Sequence, residues 1–171
     1  MDISEALKPY FKIALDEAGK SPCYRRQYGV MIVYDWYGDI GEDSVSMDWN
    51  PWHLASNVRV TNQCNGGVCV RYQIPTGHGS NVERGAEIHA EQAALIKAGV
   101  YRMHSYFILV GKDSKSGKEL VGRDCLPCHA CAVMIKWAGY KFIYHRDDIG
   151  RIIAESIDDI IEEQELSLRS L

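Results

Sequence analysis

The chain has 171 residues, 46% of them hydrophobic and 25% charged, with a formal net charge of −4. That length suits one domain with a true core, and the composition excludes wholesale disorder. No apolar run approaches the ~20 residues of a membrane-spanning helix, and the acidic balance disfavours a general nucleic-acid binder.

The opening segment, MDISEALKPY, has early acids rather than a basic and then apolar order. It is not read as a secretion signal, so a cytoplasmic location is expected, in the host if the chain is viral. Ile3, Leu7, Tyr10, Phe11, Ala14, Leu15 and Ala18 recur at helical spacing, with Gly19 as a stop. Pro9 either kinks this helix or opens it. Residues 28–34, YGVMIVY, read as a buried strand. Residues 35–53 form an aromatic loop with Trp36, Trp49 and Trp52, and 54–61 a second strand. Residues 62–86, rich in Gly and Asn, form another long loop, and loops of that length in a compact domain are usually functional.

The second half is more regular. A helix is expected over 88–98, closed by Gly99, and a strand over 105–111. A turn follows at 112–118, and 119–122 continue a hairpin. A second helix spans 128–138, closed by Gly139, and a strand 140–145. Ile149, Ile152, Ile153, Ile157, Ile160 and Ile161 then predict one face of an acidic amphipathic helix over about 147–165. Residues 166–171 read as an edge strand or a frayed tail. Strands alternating with helices predict a three-layer α/β domain over 1–171.

The cysteines carry the chemistry. They are Cys23, Cys64, Cys69, Cys125, Cys128 and Cys131. In a reducing compartment such residues bind metal or stay free more often than they pair. Cys128 and Cys131, in Pro127-Cys128-His129-Ala130-Cys131, lie three apart at a helix start, so both sulfurs can reach one ion. A helix N-terminus favours the thiolate that binds zinc, and Pro127 suits the approach to such a helix. A zinc ribbon needs a second CxxC, which this chain lacks, and a redox pair normally lies earlier in its fold. His89, opening the preceding helix, supplies a third ligand. Three protein ligands leave one tetrahedral position open, the arrangement of a catalytic zinc with its water. Glu91, two residues on, can take a proton from that water without being a ligand.

His89-Ala90-Glu91 followed by PCHAC resembles the signature of the zinc-dependent cytidine/deoxycytidylate deaminase superfamily. A histidine as first ligand resembles the deoxycytidylate, tRNA-adenosine and polynucleotide-editing branches. The segment CYRRQYGVMIV at 23–33 and the loop CNGGVCVR at 64–71 resemble deoxycytidylate (dCMP) deaminases, of the phage type above all. The similarity runs from Tyr10 to Tyr144, specific at the zinc motifs and loose elsewhere. Ala55-Ser56-Asn57-Val58 stands where many dCMP deaminases have GYNG, and 112–126 is longer than the usual link.

The resemblance implies a three-layer α/β/α deaminase fold with a mixed sheet of about five strands. It implies hydrolytic deamination of a cytosine nucleotide, dCMP to dUMP and ammonia, with Glu91 as proton shuttle. It places Ala90 and Leu126 at the base through their backbones and Asn57 at the sugar. An aromatic residue should cover the base, with Tyr144, Tyr34 and Trp52 as candidates. Arg25, Arg26, Arg59 and Arg71 are candidates for the 5′-phosphate. A second, structural zinc is expected at Cys23, Cys64, His78 and Glu87, with Cys69 as an alternative ligand. Homo-oligomers are expected, with a small-molecule nucleotide rather than a nucleic acid or membrane as partner. The rival readings are a tRNA or nucleic-acid base deaminase, and a non-catalytic zinc module with Cys125 as fourth ligand.

Overall fold

The computed structural model describes residues 3–23, 26–34, 52–56, 58–59, 87–98 and 105–169. Helix α1 (Ile3–Ala18) continues through Pro9, which lacks an N–H to donate but does not end the helix. Its buried residues, Leu7, Phe11, Ala14 and Ala18, sit at the spacing that puts them on one face.

Strands β1 (Arg26–Tyr34), β2 (Trp52–Ser56), β5 (Ser105–Asp113), β6 (Phe142–Arg146) and β7 (Ile152–Ser156) form a sheet in the order β2-β1-β5-β6-β7. Only β5 and β6 are parallel; the other neighbours are antiparallel, so the sheet is mixed. The short β3 (Val58–Arg59) and β4 (Glu87–Ile88) form a separate antiparallel pair. Residues 30–33 of β1 and 107–110 of β5 are buried without a break because helices cover both faces of these central strands. Helix α1 lies on one face. Helices α2 (Ala90–Ala98), α3 (His129–Trp137) and α4 (Ile157–Arg169) lie on the other. Among the described residues the result is a three-layer α/β fold with a five-stranded mixed sheet and four helices, consistent with a cytidine-deaminase-like architecture.

Alternation along the strands divides the core in two. Met31, Val33, Ile108 and Val110 pack under α1. Val30, Ile32, Phe107, Leu109 and Ile143 pack under α2, α3 and α4. Gly29 faces α1, and a Cβ there would overlap the carbonyl oxygen of Ala14, so the helix backbone lies directly on β1. A Cβ at Gly111, opposite Tyr28 on the neighbouring strand, would meet the Tyr28 ring at 2.8 Å.

The C-terminal region differs from the amphipathic helix expected over 147–165. Residues 152–156 are strand β7, and the helix is α4, 157–169, continuing past the expected tail at 166. The isoleucines divide accordingly. Ile149 is exposed, Ile152 packs on the α1 side, and Ile157, Ile160 and Ile161 pack on the other. The cause is turn chemistry. The Asp147 carboxylate accepts the backbone N–H of Ile149 (3.1 Å) and Arg151 (2.8 Å), and Gly150 takes a φ of 83°. That closes a β6–β7 hairpin before a helix can begin. Ser156 then starts α4, its Oγ accepting the N–H of Asp159 at 3.4 Å.

Candidate metal centre

The residue before α2 and the residue before α3 are both chemical. His89 occupies the N-cap of α2: its carbonyl accepts the N–H of Ala93 (3.0 Å), and its own N–H donates to the Gln92 side chain (3.2 Å). That return bond is the second half of a capping box, with Gln92 in the third helical position. Cys128 is the N-cap of α3, in extended backbone conformation, and its side chain makes no capping bond. Its sulfur turns to His89 instead. Cys128 Sγ lies 3.5 Å and Cys131 Sγ 3.4 Å from His89 Nδ1.

These three donor atoms all lie within 4.8 Å of one another, and among the described residues they alone make a group that could hold a metal ion. Two sulfurs and one imidazole nitrogen, brought together by two converging helix N-termini, form a donor set that suits a borderline-soft cation. Hydrogen bonding from Cys131, then from His89, pushes the Cys128 thiol down to about 4. Cys131 is pushed up, first by donating to Cys128 and then by burial.

Glu91 is 4% exposed, and burial pushes its carboxyl up, against an opposing pull from His89. A buried acid this close to the donors, in hydrogen-bond contact with Cys131, holds a proton more readily than an exposed carboxyl does and is placed to pass it on.

Ala90 opens α2 and is fully buried, and Leu126 lies two residues before Cys128, packed against the same cluster. Arg26 stands at the start of β1, 2.9 Å from the Asp124 carboxylate. Beside it Tyr28 donates its hydroxyl to the Asp124 carbonyl at 2.9 Å. Burial pushes the Tyr28 phenol up to about 12, and the charge of Glu91 adds to that. Tyr28 and Asp124 were not singled out from sequence. The signal was the two-residue spacing from Arg26, which puts Arg26 and Tyr28 on one strand face.

Other candidates lie elsewhere. Tyr144 packs on the α1 side of the sheet, edge-on to Tyr106 at 5.5 Å, on the face away from the His–Cys–Cys group. It belongs to the structural core, because residue 144 alternates with Ile143, which points the other way. Tyr34 donates its hydroxyl to the Ala98 carbonyl, at the far end of α2 from His89. Cys125 is buried with its sulfur 3.5 Å from the Leu109 carbonyl, and burial pushes it up to about 12. Arg59 and Glu87 face one another in the β3–β4 ladder. Cys23 is half-buried, its N–H donating to Ser21 Oγ. Arg25, Asn57, Cys64, Cys69, Arg71 and His78 lie outside the described residues, as do the side chains of Trp52, Arg59 and Glu87.

No helix among the described residues is long and apolar enough to cross a membrane. No family model matches the chain. No solved structure matches it. Among curated proteins it is similar to a deoxycytidylate deaminase of Schizosaccharomyces pombe, 26% identical over 137 residues. That alignment covers 80% of this chain but spans only 35% of the relative's length. The similarity is distant, but together with the His89, Cys128 and Cys131 group it supports a place for this chain in the cytidine deaminase superfamily.

Proposed function

We propose that this chain is a zinc-dependent hydrolase that deaminates a cytosine nucleotide, converting dCMP and water to dUMP and ammonia. The observation that carries the reading is Glu91: a buried carboxyl, made less acidic by burial, beside a His–Cys–Cys donor set. A purely structural zinc site needs no such acid, and Cys125, the proposed fourth ligand of that rival, turns its sulfur to the Leu109 carbonyl. The similarity to a deoxycytidylate deaminase supports the substrate class.

His89 Nδ1 and the sulfurs of Cys128 and Cys131 would hold the ion. A zinc ion held by these residues would supply an acidified water, with a pKa toward about 7, as the nucleophile. Glu91 takes a proton from the water and delivers it to N3 of the cytosine ring as the water oxygen bonds to C4. It then moves the remaining hydroxyl proton to the amino group. The C4–N bond breaks, ammonia leaves, and a 4-oxo ring remains. The backbones of Ala90 and Leu126 orient the base, and Asn57 holds the sugar. Of the arginines proposed for the 5′-phosphate, Arg26 has the support of its position, beside Tyr28 at the start of β1 and against Asp124 in the segment leading to Cys128.

The test is ammonia release by the zinc-loaded chain from dCMP, deoxycytidine, cytidine and a tRNA anticodon stem. Turnover of dCMP in preference to the nucleosides is expected. No release from any cytosine substrate, or release from the anticodon stem alone, overturns the proposal.

A further inference from the structure

The cysteine segment is gripped from outside by the last helix. Glu163, Gln164 and Glu165, consecutive in α4, each meet a residue of the stretch 123–129. Glu163 pairs with Arg123, Gln164 Nε2 donates to the Pro127 carbonyl at 2.9 Å, and Glu165 stands 3.7 Å from His129 Nε2. The outer two contacts are between exposed or half-exposed groups, and such pairs contribute little. The central one differs. Pro127 is a buried residue, and the Gln164 bond satisfies its carbonyl within the protein. Gln164 makes that bond while its own Oε1 stays buried without a hydrogen-bond partner. An unpaired buried amide oxygen carries a penalty that a methionine or leucine of similar size would avoid. The amide is therefore kept for its donor.

We propose that Gln164 is a positioning residue for the metal centre. The carbonyl it holds belongs to the peptide unit joining Pro127 to Cys128, and the proline ring already fixes φ on one side of that unit. Clamping the carbonyl fixes the plane of the peptide from which the Cys128 Cα and Sγ project. Without the bond that peptide can rock, and Cys128 Sγ loses its fixed distance from His89 Nδ1. The effect reaches the metal through Cys128, and Gln164 touches neither metal nor substrate. This inference rests on the zinc reading above.

The experiment compares zinc release to a chromophoric chelator, and the thiolate charge-transfer band of the cobalt(II)-loaded chain. The proteins are the wild type, Gln164→Met, Gln164→Glu and Lys136→Met. Both Gln164 variants keep side-chain length and lose the donor, and two are used in case one fails to fold, which thermal unfolding will show. Zinc release is expected to quicken about 10- to 100-fold in the Gln164 variants, the range seen when a partner of a metal ligand is removed, with a shifted cobalt band. Lys136→Met breaks another contact between α3 and α4, the 2.6 Å Lys136–Asp158 pair, away from the ligands. It should leave release within about twofold of wild type, as expected for an exposed pair. Wild-type release rates and an unshifted band in a folded Gln164 variant overturn the inference while leaving the zinc reading intact. Equal acceleration in Lys136→Met also overturns it, because general loosening of α4 would then suffice. A wild-type chain that holds no zinc overturns the zinc reading, and this inference with it.

Discussion

The two faces of the central sheet are made by the same strands and have opposite characters. Under α1 the buried cluster is Leu7, Phe11, Ala14, Ala18, Met31, Val33, Ile108 and Val110, all of them apolar. On the other face the strands meet α2, α3 and α4, and there the buried groups include Glu91, Cys125, Cys131, Tyr140 and His145. His145 is 2% exposed and bonds Glu155 through Nε2 at 2.6 Å. Alternation lets one strand serve both faces: Met31 and Val33 anchor a helix, while Arg26 and Tyr28 reach the chemical side. The α1 face buries apolar side chains, with the Arg146 guanidinium 5.4 Å from the Phe11 ring centroid, while the other face accepts desolvated acids and thiols that weaken the fold.

If that division is right, changes on the two faces should have separable effects. The largest is expected from Glu91→Gln. It should keep bound metal and lower turnover about 100- to 10,000-fold, because proton transfer alone is removed. Turnover near wild type would break the assignment of chemistry to this face. Next comes Phe11→Ala, on the α1 side, where the ring is 1% exposed. It should lower stability by about 3–5 kcal/mol in urea unfolding, with activity per folded molecule unchanged. A matching fall in specific activity would show that the faces are not independent.

The third effect sharpens the comparison through pH. Cys125 and Tyr28, both on the chemical side, are pushed up to about 12 by burial. In the unfolded chain they ionise at about 8.5 and 10, so the unfolded state releases protons that the folded state keeps. Their burial is harmless below those values, and stability falls as pH rises toward 12. The slope should be at most about 1.4 kcal/mol per pH unit for each group. Urea midpoints from pH 8 to 11 measure it, and Cys125→Ala should remove the portion that begins lowest. A midpoint indifferent to pH over that range would count against burial as the cause. The smallest effect is expected at Lys8→Met, which removes the exposed Lys8–Glu5 pair on the outside of α1. A change of no more than about 0.5 kcal/mol should follow.

Much of this was legible in the residues, for identifiable reasons. YGVMIVY reads as a two-sided buried strand because no polar residue interrupts it, and 28–34 lies wholly within β1. His89, Glu91, Cys128 and Cys131 could be grouped because each ligand sits in the first turn of a helix or just before it, where side chains point along one direction. The C-terminal region was misread because Ile149, Ile152, Ile153 and Ile157 happen to match helical spacing. The Asp147–Gly150 turn and the Ser156 cap, both present in the sequence, override that spacing. Tyr144 was misplaced because an aromatic residue carries no mark of which sheet face it occupies until the register with β5 and β7 is known. Gln164 was beyond reach, because its partner lies 37 residues away and nothing local distinguishes it from any helix-surface glutamine.

The missing side chain at position 29 has a further consequence. With the backbone of α1 seated directly on β1, the wall between the two faces is at that corner a single polypeptide backbone thick. Tyr28 is the adjoining residue, and its ring occupies the room left by Gly111 on the far side of that wall. No methyl group can be added at 29 or 111 without something shifting. A push from the helix side, as in Gly29→Ala, would therefore pass through the strand to Tyr28, whose phenol feels the charge of Glu91, and to Arg26 two residues before it. At this corner the strand works as a lever with its fulcrum in the sheet, and an alteration far from the reacting atoms should register as changed substrate binding.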